Sequence, residues 1–126
     1  MTETPLDGPA HFPVPPGMRV YDARLGATFE DVTSMELADR AVDDGRLILA
    51  HIVDPRFGGA EERVNQIPVP PQVQRALDAI NDTISAAVRS GAKVRMQFGA
   101  DYHGDSHVPG RLTYDTGEAG VHQILI

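Results

Sequence analysis

The chain has 126 residues, no cysteine, and 11 Lys and Arg against 18 Asp and Glu, a formal charge of −7. That length supports one core and not two, and the missing thiols exclude a disulfide framework, a thiolate zinc site, an iron–sulfur cluster and a cysteine nucleophile. The acidic balance, with no run of basic residues, argues against nucleic acid as a partner, because phosphate binding needs concentrated positive charge.

Residues 1–17 carry Pro5, Pro9, Pro13, Pro15 and Pro16 and read as an extended arm, set apart from a folded domain over residues 18–126. The run from Pro13 to Pro16 has the form of a polyproline II ligand, but composition alone favours a solvated leader. The arm has no basic start followed by an apolar run. The longest apolar stretch, residues 47–53 interrupted by His51, is too short to span a bilayer. The expectation is a cytoplasmic protein that does not meet a membrane.

Residues 18–22 alternate as a short edge strand would. Thr33 and Glu36 then have the spacing of a capping box, Leu37, Ala38, Ala41 and Val42 make a narrow apolar face, and Gly45 stops the run, predicting a helix over about 34–44. Glu36 and Arg40 stand in the favourable i,i+4 order, worth about 0.3 kcal/mol. In residues 46–54, Leu47, Leu49 and Val53 alternate with Ile48, Ala50 and Ile52. Both faces are apolar, as in the middle of a sheet, with His51 on the face of Leu49 and Val53. Gly58 and Gly59 mark a mobile tip, while Pro68 and Pro70 confine residues 63–69 to an edge strand.

The clearest signal is a helix over about 72–90. Val73, Ala76, Leu77, Ile80, Ile84, Ala87 and Val88 follow steps of three and four, Pro71 suits the helix start, and Gly91 closes it after Arg89. Residues 93–98 alternate as a half-exposed strand with Val94, Met96 and Phe98 inward. If residues 47–53 and 94–98 are parallel neighbours, the helix is their right-handed crossover. Residues 111–114 and 121–126 form two more strands around a turn-rich segment, an antiparallel meander. The fold class predicted is α+β: one small domain, a mixed sheet of about four to six strands, and the long and short helices packed on it.

One polar constellation stands out. Asp101, His103, Asp105 and His107 would project from one side of an extended segment, with His51 or Asp54 as a further ligand, and imidazole with carboxylate suits zinc, nickel or iron(II). Turn chemistry opposes this. A two-residue loop at Gly104 and Asp105 pairs His103 with Ser106 and Tyr102 with His107, placing the imidazoles on opposite faces. Counting Asp101 as the first position of a calcium loop puts Leu112 at the twelfth, where Glu is required. Ser106 and His107 supply triad residue types without a nucleophile elbow, and no phosphate-binding glycine motif is present. His51, amid Ile, Leu and Val, reads better as a core imidazole than as a base.

Three function classes remain. The preferred one is a small acidic, non-catalytic protein-binding domain of the inhibitor, immunity, antitoxin or adaptor kind. It needs no cofactor and meets another protein, of basic character, through Asp43, Asp44, Glu61 and Glu62 or through a sheet edge. The second is a small metal- or acid–base-dependent enzyme using His51, Asp54, Asp101, His103, Asp105 and His107. The third is a structural subunit of a homo-oligomer, closed by the long helix or by the strand carrying Ile124, Leu125 and Ile126.

Overall fold

The apolar stripe after Pro71 sets the architecture. In the computed structural model, which describes residues 17–26 and 28–126, it forms a helix at Val73–Arg89 whose Val73, Leu77, Ile80 and Ile84 are buried. Its first amides are satisfied by the chain before it: Val73 N–H donates to the Pro70 carbonyl at 3.0 Å and Gln74 N–H to that of Pro71 at 3.1 Å. Its end is a Schellman motif, with Gly91 N–H donating to the Val88 carbonyl and Ala92 N–H to that of Ala87, around Gly91 at φ 90°. The stripe stops one turn early. Val88 is 52% exposed and Ala87 half-buried, because the last turn runs beyond what the sheet covers.

Numbered in chain order, the elements are β1 (Met18–Asp22), α1 (Met35–Asp43), β2 (Ile48–His51), β3 (Gln66–Val69), α2 (Val73–Arg89), β4 (Val94–Tyr102), β5 (Pro109–Gly117) and β6 (Val121–Leu125), with short 3₁₀ turns at Pro55–Phe57 and Arg63–Asn65. A four-stranded sheet runs in the order β1-β6-β5-β4, and β2 and β3 form a separate two-stranded ribbon. The meander β4-β5-β6 is antiparallel as predicted, and β1, an edge strand as predicted, lies parallel to β6. Registers Ala100↔Leu112↔Ile124↔Tyr21 and Phe98↔Tyr114↔His122↔Arg19 make two rows on one face of the sheet, and α2 contacts the sheet through β4 and β6. The described residues form one α+β domain with a mixed sheet. The arm at residues 1–17 lies outside them except for Gly17.

The crossover does not form. β2 pairs with β3 alone, antiparallel, with Ile48 opposite Val69 and Leu49 opposite Pro68, so α2 does not connect parallel neighbours. The two-sided apolar pattern of residues 47–52 has another cause. Leu47 enters a small cluster with Val32, Ala38, Ala41 and Val108, whereas Ile48, Ala50 and Ile52 pack against the main core of α2 and the sheet. The main core covers one side of the ribbon, and on the other the small cluster takes Leu47 just before β2.

The short helix starts one residue later than the capping-box spacing implies. Ser34, in extended conformation, accepts from Leu37 N–H at 3.1 Å, which puts Leu37 and not a glutamate at the third helical position. Nor is the segment around Gly58 and Gly59 a free tip. Asn65 accepts from Val53 N–H and donates to the Val53 and Ala60 carbonyls, all within 2.9 Å, and a Cβ at Gly59 would overlap the Val53 carbonyl. Arg56 adds a bond to Asp82 on α2 at 3.0 Å.

These placements rank substitutions on α2. Ile80→Ala or Ile84→Ala should each cost roughly 2–5 kcal/mol through lost burial and a residual cavity, whereas Val88→Ala should stay within about 0.5 kcal/mol. Urea unfolding of the three variants checks this, and a large loss at Val88 would mean that the last turn is covered after all.

Candidate functional site

The carboxylates singled out in the sequence come from two segments that the fold joins. Asp43 is the last residue of α1 and Asp44 its C-cap, while Glu61 and Glu62 precede the 3₁₀ turn at Arg63–Asn65; all four are exposed. Arg63 ties the segments together. Its guanidinium donates to Asp39 at 2.9 Å and lies 3.7 Å from the Met35 sulfur. Met35, Asp39 and Asp43 follow i,i+4 steps and share one side of α1. Both acidic pairs therefore lie within a helical turn or two residues of one bridge. Met35, 51% exposed, and Val64, 83% exposed, add apolar surface beside them.

The charges are not arranged for stability. Asp43 and Asp44 occupy the C-terminal end of α1, the negative pole of the helix dipole, where a carboxylate costs about 0.3–1 kcal/mol at an exposed site. Among the described residues, Asp43, Asp44 and Glu62 make no ion pair, and Glu61 meets His51 Nε2 at 2.8 Å.

The His and Asp set considered for metal chemistry is dispersed. Asp101 accepts from Arg111 at 2.8 Å. His103 is exposed, with its ring against Gly110, and Asp105 is exposed. His51 Nε2 is hydrogen-bonded to Glu61, which makes it a partly exposed polar contact and not the enclosed imidazole expected. Asp54 caps the Pro55–Phe57 turn, accepting from Arg56 N–H at 2.8 Å and Asn81 Nδ2 at 3.1 Å. Among the described residues, no three His, Asp or Glu side chains are grouped as metal ligands would be.

The two-residue hairpin at Gly104 and Asp105 is also replaced. Tyr102 pairs with Pro109 after a register shift, leaving residues 103–108 as a longer loop. The buried Ser106 hydroxyl explains this: it donates to the Phe29 carbonyl at 2.8 Å and accepts from Val108 N–H at 3.1 Å, while His107 N–H reaches the Val32 carbonyl at 2.7 Å. The loop is stitched to residues 29–32 and so cannot close tightly. A cleft of about 380 Å³ between them is lined by Arg24, Phe29, His103 and Ser106, but the hydroxyl is committed and Arg24 is held by Asp22 at 2.7 Å.

Sequence reasoning passed over His122. It is 1% exposed; Nε2 lies 2.9 Å from the Ala119 carbonyl and so carries the proton, and Nδ1 has no partner. The signal was present, since alternation along residues 121–125 puts His122 on the buried side with Ile124. Burial pushes the imidazole below its ordinary pKa, helped by the nearby Arg19 charge.

Unfolded chains thus bind a proton on His122 that the folded protein refuses. Stability should be unaffected by this residue above the ordinary histidine value of about 6.5 and should fall as pH drops below it. Urea unfolding across that range should show the slope, and His122→Gln, which keeps a donor without titrating, should flatten it. An unchanged slope in the variant would assign the effect to another histidine. No protein-family model, curated protein or solved structure matches this chain.

Proposed function

We propose that this chain is a non-catalytic protein-binding domain, of the inhibitor, immunity, antitoxin or adaptor kind, that meets a basic partner in the cytoplasm. The contact face is the side of α1 that carries Met35, Asp39 and Asp43, with the loop at residues 61–64. The observation that carries this reading is the Arg63–Asp39 bridge, which ties the loop bearing Glu61, Glu62 and exposed Val64 to the helix bearing exposed Met35, Asp43 and Asp44. Exposed apolar side chains on a surface with an excess of like charge are what a partner of opposite charge can desolvate. Among the described residues, no helix is long and apolar enough to cross a membrane. The dispersal of the His and Asp set favours this reading over the metal or acid–base enzyme.

The two components should separate kinetically. With the partner captured from the native host, Asp43→Asn with Asp44→Asn, or Glu61→Gln with Glu62→Gln, should slow association several-fold, and added salt should do the same, since screening acts on long-range attraction. Met35→Ala and Val64→Ala should instead raise the off-rate, by about tenfold together. Surface plasmon resonance resolves both. A salt-independent on-rate, unaltered by either neutralised pair, would remove the acidic face from the interaction.

A further inference from the structure

The four-stranded sheet has two edges, β1 and β4. β4 is nine residues long, contains no proline, and no described strand pairs with its outer side. Such an edge is a template for another strand. Register shifts between Val94 and Gln97 and between Asp101 and Tyr102 make both ends irregular against β5, while the stretch from Gln97 to Asp101 pairs regularly with it and leaves its outer side open.

The side chains along β4 match a reversed copy of themselves. Arg95 and Asp101 lie on the outer face of the sheet, three residues either side of Phe98, and on the same face Arg95 pairs with Asp115 at 3.1 Å and Asp101 with Arg111 at 2.8 Å. An antiparallel twin centred on Phe98 sets each Arg95 opposite the Asp101 of the other copy. The charges then alternate without interruption, Asp115, Arg95, then Asp101 and Arg111 of the second copy. On the opposite face, the same register lays Tyr102, 47% exposed, against half-buried Val94, and Met96 against Ala100. An unrelated partner would have no need of this internal symmetry, whereas a twofold interface requires it.

We propose that two copies of this chain join through β4, antiparallel about a twofold axis at Phe98, making one sheet continuous across both. The surface is separate from the acidic face on α1, so the two proposals stand or fall independently.

Sedimentation velocity of the full chain from micromolar to near-millimolar concentration should show a monomer–dimer equilibrium. Arg95→Asp alone and Asp101→Arg alone should each weaken it about tenfold or more, because symmetry makes each like-charge contact occur twice. Mixing the two variants should restore dimer, since both cross-copy pairs then become attractive, a result that misfolding of either variant would not give. Register is read separately. The chain has no native cysteine, and a Cβ at Gly99 meets open space. Gln97→Cys mixed with Gly99→Cys should therefore form a disulfide-linked heterodimer faster than either variant forms a homodimer. A monomer at every concentration, or a dimer indifferent to the charge changes and to the cysteine pairing, overturns the proposal.

Discussion

The hydroxyl of Tyr114 is the one polar contact on which the arrangement of the two sheets depends. Tyr114 lies near the centre of β5, its ring tilted against Phe98 at 5.0 Å, and its O–H donates to the Ile52 carbonyl at 2.9 Å, just beyond β2. A phenol this deeply buried is held well above its ordinary pKa by desolvation, so it remains a donor at any pH the protein tolerates. Burying it without an acceptor would cost about 1–3 kcal/mol, and the ribbon supplies the acceptor. Because the ribbon pairs with no other described strand, this bond and the side chains of Ile48, Ala50, Ile52, Ile67 and Val69 determine where it sits. The Arg63 segment, and with it Glu61 and Glu62, follows from that placement.

What the sequence made legible is whatever repeats within one element. Val73, Leu77, Ile80 and Ile84 declare α2, and alternation declares β1, β4 and β6, because a side chain's direction depends only on local geometry. What it hid are choices between elements. The apolar pattern of residues 47–52 is satisfied equally by two strands or by two clusters, and only the three-dimensional packing distinguishes them. The loop after Tyr102 was misread because its shape is set by the Phe29 carbonyl, 77 residues away from the Ser106 hydroxyl that binds it. The acidic candidates were correctly taken as exposed; that α1 and the loop carrying Glu61 and Glu62 meet through Arg63 and Asp39 could not be read from composition.

Charge is distributed with a bias that a net figure conceals. Arg24, Arg46, Arg56, Arg63, Arg95 and Arg111 each have a carboxylate within 3.5 Å. Exposed pairs of this kind contribute about 0–1 kcal/mol each, too little to determine the fold. Their larger effect is to cancel positive charge where it arises, although Arg19, Arg40, Arg75, Arg89 and Lys93 have no carboxylate that close among the described residues, so that the remaining field is that of an excess of carboxylates over these. The end of α1 is a principal source of that field, and α1 gives up some of its own stability by carrying it.

The parallel pairing of β1 with β6 joins segments more than a hundred residues apart, Met18 beside Val121 and Asp22 beside Leu125. Everything else in the sheet closes through short turns. On a ribosome, therefore, β1 emerges about a hundred residues before the strand it lies against, and waits through that stretch of synthesis without its neighbour. The meander and α2 can associate as soon as β6 is available, but the final closure must bring the two ends of the domain together against the full loop entropy of the chain between them. Until that moment β1 and β5 each present an unsatisfied edge where the native sheet holds β6, and the making of β6 becomes the step that seals both.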